Sequence, residues 1–205
     1  MSQQLIKWSD DNIKPIVPKV WQHLVVTANS TRMRLQETSV KEPDAGILLG
    51  VLRTLPLFVI CNHFSATFED ALVKTMLGYR DASDKHDEYY ACTEVIPNTQ
   101  FLESMIEILD TKLLKKLVDY IDWSPNNQFI KRAILEEVHD IPVLERSVYG
   151  AALSQGRKFS IFEALENSEL FNIKHRPYWF STVQMSVATM EQMQARIPGK
   201  LTTSM

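Results

Sequence analysis

Histidines with acidic neighbours are the residues of this 205-residue chain that are best suited to chemistry. His63 and Asp70 have the residue types of a general base and its orienting carboxylate, as in acyl transfer. Six residues lie between them, so their side chains would not meet on adjacent turns of a helix, as such a pair must. His86, Asp87 and Glu88 could ligate a metal, but neighbours in sequence rarely point at one centre, and we favour a solvated charged loop. Neither group is therefore predicted to be catalytic.

His23 and Arg53 are polar residues inside apolar stretches that have helical periodicity. We expect His23 to hydrogen-bond a carbonyl or a carboxylate in the core, with metal ligation as the alternative. An arginine in so apolar a helix needs a partner. We favour a structural salt bridge with an acid that the sequence does not identify, and the alternative is a contact with a bound anion such as a phosphate.

The elements that must position these residues are predicted to be helices, because apolar residues recur at three- and four-residue spacing and no useful alternating pattern is present. A buried strand is the competing interpretation for the apolar run that follows Asp44. Breaks are predicted at residues 62–65, at a charged loop over 78–89, after Leu109 and near Gly156. Helix starts are predicted at Ser124-Pro125 and at Asp140 to Pro142. The predicted segments are 17–37, 45–61, 67–77, 98–109, 111–121, 125–138, 142–156, 160 onward and 177–196. Roughly eight helices around one core predict an all-α fold.

Composition indicates an ordinary soluble globular protein, with 45% hydrophobic and 23% charged residues. A net charge of -3 provides no basic stripe, so nucleic-acid binding is not expected. Cys61 and Cys92 lack C-x-x-C spacing and no signal-peptide pattern is present, which favours a packing role and a cytoplasmic location. The apolar run from Ile47 to Cys61 is too short to predict a membrane span. We expect an extension over residues 1–14, one domain over 15–196 and a flexible tail over 197–205.

Two segments, Trp21-Gln22-His23-Leu24 and Gly50-Val51-Leu52-Arg53-Thr54-Leu55-Pro56, resemble the HD phosphohydrolase superfamily. That family has a histidine on its first helix and, later, an adjacent His-Asp pair on a helix with small and aliphatic residues. Arg53 and Thr54 occupy the positions of that pair, and Pro56 takes the place of the final glycine. Trp123-Ser124-Pro125 resembles the family's tryptophan-containing helix start, and Ala152 or Leu153 stands where a last aspartate ligand would be. The resemblance spans roughly residues 15–166 and is to the HDOD branch, in which metal ligands are partly or wholly lost.

The resemblance implies a single compact helical HDOD-like domain, regulatory or scaffolding, in bacterial signal transduction. It would bind a protein partner or a second copy of itself, without a metal, a cofactor or catalytic residues. Metal-dependent phosphohydrolysis needs converging His and Asp ligands, whereas Arg53 brings a fixed positive charge and Thr54 is a weak ligand. His23, Arg53 and Thr54 are thus degenerate motif positions, with Arg53 as a candidate anion contact. The alternatives are a divergent HD-type phosphohydrolase acting on a nucleotide or phosphate ester through His23, and an unrelated helical protein.

Overall fold

Seven α-helices and two short 3-10 turns form the part of the chain that the computed structural model describes, which is residues 16–78, 87, 91, 99–166 and 176–197. The helices are α1 (Ile16–Gln36), α2 (Ala45–Gly78), α3 (Thr99–Tyr120), α4 (Gln128–Val138), α5 (Val148–Glu166), α6 (Arg176–Val183) and α7 (Val187–Arg196). No strand occurs among these residues, so the all-α prediction is confirmed and the strand interpretation of the apolar run is wrong. The predicted N-terminal extension, most of the charged loop and nearly all of the predicted C-terminal tail lie outside the described residues.

Helix α2 is a continuous helix of 34 residues with Pro56 in its interior. The break predicted at residues 62–65 is wrong. Asn62 and His63 are exposed while Phe64 and Ser65 are buried, so the polar residues lie on the outer face of one helix and do not interrupt it. The segment contains no glycine or proline that would stop a helix.

Two further predicted boundaries are wrong because a helix runs through them. Helix α3 continues past Asp110, although the sequence predicts a junction there. Helix α5 continues past Gly156, whose missing side chain serves close packing, since a Cβ there would lie 2.8 Å from the backbone nitrogen of Thr31 on α1. The start predicted at Asp140 to Pro142 is also wrong. That segment leads into the 3-10 turn Val143–Glu145, and α5 begins at Val148.

Two further predictions about helix ends differ from the structure. Ser124 precedes the 3-10 turn Pro125–Asn127 and makes no side-chain capping bond. The helix predicted over residues 177–196 is two helices. Gln184 adopts a positive φ of 58° between α6 and α7, and the Ser186 side chain caps α7 by accepting from the Thr189 N–H.

Helix α1 packs against both α2 and α5, and these three helices are the frame of the domain. Helix α3 runs antiparallel to α2, because Arg53 on α2 pairs with Asp110 while Phe64, further along, contacts Phe101 near the start of α3. The central core contains Leu35, Leu49, Leu52, Leu114, Ile134 and Leu153. A second cluster contains Val26, Phe159, Phe162, Met185, Met190 and Met193, so these C-terminal methionines pack in the core. A third contains Ile60, Cys61, Phe64, Leu102 and Met105.

The first two thirds of α2 form the most apolar helical stretch in the described part of the chain. Ala45–Thr67 has a mean hydropathy of 1.8 and, by length and composition alone, could cross a membrane. The helix is longer than the predicted apolar run, so length no longer argues against a span. Slightly more than half of this stretch is buried inside the fold, as in the core helix of a soluble protein. Cytoplasmic location stays a prediction.

Candidate functional site: a buried arginine and carboxylate network

Arg53 lies on α2 and is 9% exposed. Its two terminal nitrogens donate to the two carboxylate oxygens of Asp110 on α3, at 3.0 and 2.7 Å. This bidentate geometry is the strongest form of an arginine–carboxylate pair. The predicted salt bridge of Arg53 is confirmed, and Asp110 is the acid that the sequence did not identify.

Arg53 and Asp110 belong to a larger network that also contains Glu137, Arg146 and Arg157. Glu137 lies in the last turn of α4, at the centre of this network, and its side chain is 3% exposed. The Arg146 guanidinium donates to one carboxylate oxygen. Arg157 Nε lies 3.2 Å and Arg53 Nε 3.6 Å from the other. Burial alone would raise the pKa of Glu137, but the charges of Arg157, Arg146 and Arg53 outweigh it and hold the pKa below its ordinary value. Glu137 is therefore ionised and shared by three cations.

Glu136 and Glu137 are neighbours in sequence that serve different sites, because successive helical residues point about 100° apart. Both oxygens of Glu136 accept from the backbone N–H of Ser147, at 3.1 and 3.0 Å, and one accepts from its hydroxyl at 2.8 Å. A carboxylate at the first residues of α5 satisfies backbone donors there and suits the helix dipole. Glu136 therefore fixes the start of α5, the helix that carries Arg157.

His23 lies on α1 against α5. Its Nδ1 is 2.9 Å from Ser160 Oγ, and that hydroxyl is also 3.3 Å from the backbone carbonyl of His23. Burial, reinforced by the charges of Arg53 and Arg157, lowers the pKa of His23 from 6.5 to about 4. His23 is thus a neutral core histidine at physiological pH, with a hydroxyl partner in place of the expected carbonyl or carboxylate.

The depressed pKa of His23 predicts a pH dependence of stability. Between pH 6.5 and about 4 the unfolded chain binds a proton at His23 that the folded chain does not. The free energy of unfolding therefore decreases as the pH is lowered through this window. From pH 6.5 to about 5 we expect His23 to contribute a loss of about 1.5 kcal/mol. Urea unfolding across this range should show a smaller slope in His23→Gln, which can still bond Ser160. His139→Gln, at an exposed position, is the control, and equal slopes in wild type and His23→Gln would contradict the assignment.

The remaining positions of the resemblance are occupied by structural residues. The Thr54 hydroxyl donates to the Gly50 carbonyl within its own helix, at 2.8 Å. Ala152 and Leu153 are both buried in the central core. Thr54 therefore carries no free ligand group, and the late helix offers only aliphatic side chains at these positions.

A divalent cation does not fit the side chains that surround Arg53. Asp110 and Glu137, the carboxylates that could ligate it, are already paired with permanently charged guanidinium groups. A metal would have to displace or approach these cations. Within the part of the chain that the structure describes, no group of three or more His, Cys, Asp or Glu side chains could hold a metal.

The other chemical candidates are not brought together. His63 and Asp70 are both exposed on α2, seven residues and thus about 10 Å apart along the helix axis. Asp87 is exposed, whereas His86 and Glu88 lie outside the described residues. The acyl-transfer pair is therefore not assembled.

No family model, curated protein or solved structure matches this chain. Its class is therefore defined by fold and site alone: an all-α protein with a buried network of arginines and carboxylates between α2, α3, α4 and α5.

Proposed function

We propose that this chain is a non-catalytic, HDOD-like regulatory or scaffold domain of bacterial signal transduction that acts in the cytoplasm by binding a protein partner. The observation that carries the proposal is that the side chains at the degenerate motif positions bond to other groups inside the fold. Arg53 is committed to Asp110, Thr54 to its own helix and His23 to Ser160. Side chains that are held by internal bonds within the fold support a structural role for this region and not turnover of a substrate.

An exposed apolar stripe on α2 supports the binding part of the proposal. Val59, Ala66 and Val73 follow one another at seven-residue spacing and Leu77 lies one turn further. Val59, Val73 and Leu77 are each more than half exposed, and Ala66 is exposed as well. Residues at this spacing lie along one side of a helix, where a partner helix can pack against them. A partner helix would bury side chains that are otherwise costly to leave in water.

The catalytic alternative is tested with protein purified without chelator and assayed with manganese and a phosphodiester such as bis(p-nitrophenyl) phosphate. We expect substoichiometric metal and a hydrolysis rate equal to the protein-free blank, because the carboxylates of the network are paired with arginines. Stoichiometric manganese together with hydrolysis that is lost in His23→Ala would overturn the proposal in favour of a divergent HD-type phosphohydrolase.

A separate experiment tests the binding part of the proposal. The wild type and a Val73→Glu, Leu77→Glu double variant are each used as bait in a cell extract, and the proteins that they retain are compared. Both substitutions are at exposed positions, so folding should be retained, and circular dichroism checks this. A partner that the wild type retains and the variant releases supports the stripe as a binding surface. Identical retained proteins for both baits would contradict it.

A further inference from the structure

Arg157, on α5, differs from the other two arginines of the network in the state of its terminal nitrogens. Both terminal nitrogens of Arg53 are used by Asp110, and Arg146 is only 4% exposed and bonded to Glu137 and to the Ile141 carbonyl. The terminal nitrogens of Arg157 donate no hydrogen bond to any residue that the structure describes. Its side chain is 29% exposed. Its guanidinium therefore presents two terminal nitrogens with unused N–H groups at the edge of the network.

Arg157 Nε also lacks a well-formed bond. It lies 3.2 Å from Glu137 Oε2, but the geometry is not that of a hydrogen bond, and the nitrogen is buried without a partner. A buried donor without an acceptor costs free energy comparable to a lost hydrogen bond. The contact with Glu137 holds the guanidinium in place by charge and leaves its donor capacity unused.

The network carries an excess of positive charge. Three guanidinium groups, those of Arg53, Arg146 and Arg157, share two carboxylates, those of Asp110 and Glu137. The nearest further acid to Arg146, Asp140, is fully exposed and 3.8 Å away, where water screens it. Lys158 adds to the excess, and burial together with repulsion from Arg146 and Arg157 lowers its pKa. An anion at this edge would be attracted by all of these groups.

We propose that Arg157 is the anchor of a binding site for a small oxyanion, a phosphate or a carboxylate group, at the solvent edge of the buried network. Two oxygens of such an anion match the two free terminal nitrogens of the guanidinium. The remaining positive charge of the network supplies the attraction, and Glu137 fixes the orientation of the side chain. The anion contact that the sequence suggested for Arg53 is thereby assigned to Arg157, because both terminal nitrogens of Arg53 already donate to Asp110. The site does not depend on the proposed function.

The test measures thermal unfolding of the full chain at constant ionic strength, with sodium chloride replaced stepwise by inorganic phosphate in one series and by acetate in another. A ligand that binds only the folded state raises the melting temperature in a saturable way. We expect a rise of about 3–5 °C at about ten times the Kd. Saturation in phosphate alone identifies a phosphate site, and saturation in acetate alone identifies a carboxylate site.

The variants decide whether Arg157 is the anchor. Arg157→Gln should abolish the anion-induced rise, measured against the same variant in chloride. Arg157→Lys keeps the charge without the fork and should weaken binding about tenfold. Arg157→Lys also tests the role of Arg157 if the Arg157→Gln variant does not fold. Arg132→Gln removes an exposed arginine that likewise pairs with a carboxylate, and it should keep the full rise. No saturable rise in the wild type, or an equal rise in Arg157→Gln, would overturn the proposal.

Discussion

Replacing Glu137 by alanine is expected to lower the free energy of unfolding by about 3–5 kcal/mol, the range seen when one partner of a buried ion pair is removed. The carboxylate is 3% exposed and lies within ion-pair distance of three arginines. Without it, Arg146 and Arg157 lose their buried counter-ion, and the three guanidinium groups repel one another in a medium that screens poorly. Urea unfolding at neutral pH, followed by circular dichroism, measures the loss.

Glu37→Ala is the matched control for Glu137→Ala. Glu37 also pairs with an arginine, Arg34, but its side chain is 44% exposed. Exposed pairs contribute about 0–1 kcal/mol, so this variant should unfold close to the wild type. If Glu137→Ala were no more destabilising than the control, the network would be hydrated and the charge argument for the site would fail.

The all-α class and the presence of an ionic partner for Arg53 could be predicted from the sequence, because both depend on local properties. Apolar periodicity indicates helices wherever one face is buried. A guanidinium inside an apolar helix must be compensated whatever the fold. The choice of Asp110 was out of reach, since it lies 57 residues away along the chain and only the packing of α3 on α2 brings the two together.

The misplaced helix boundaries and the missed site residues have the same cause. Asp110 lies at a predicted junction and Arg157 directly follows Gly156, where a helix end was predicted. Polar residues and glycine favour helix ends in general. Here the polar residues face a buried network, and the glycine allows two helices to approach. A charged residue that interrupts an otherwise continuous helical period is a signal of such a network as much as of a boundary.

Gly50→Ala is expected to destabilise the protein by about 2–4 kcal/mol, although alanine is the better helix former. Gly50 lies where α2 crosses α1, and a Cβ there would be 2.6 Å from the backbone nitrogen of Ala28. Backbone cannot move aside as a flexible side chain can, so the two helices must separate. That separation loosens the packing of α1, which also carries His23. Urea unfolding gives the change.

Gly78→Ala makes the same substitution on the same helix and should have the opposite sign. No atom of the residues that the structure describes lies within 4 Å of a Cβ built on Gly78, and its φ is not positive. The gain in helix propensity and the loss of unfolded-state entropy should then stabilise the chain by up to about 1 kcal/mol. Because propensity favours alanine at both positions, a difference in sign isolates the α1–α2 contact. Stabilisation of both variants would mean that α1 and α2 do not cross at Gly50 as closely as the structure has them.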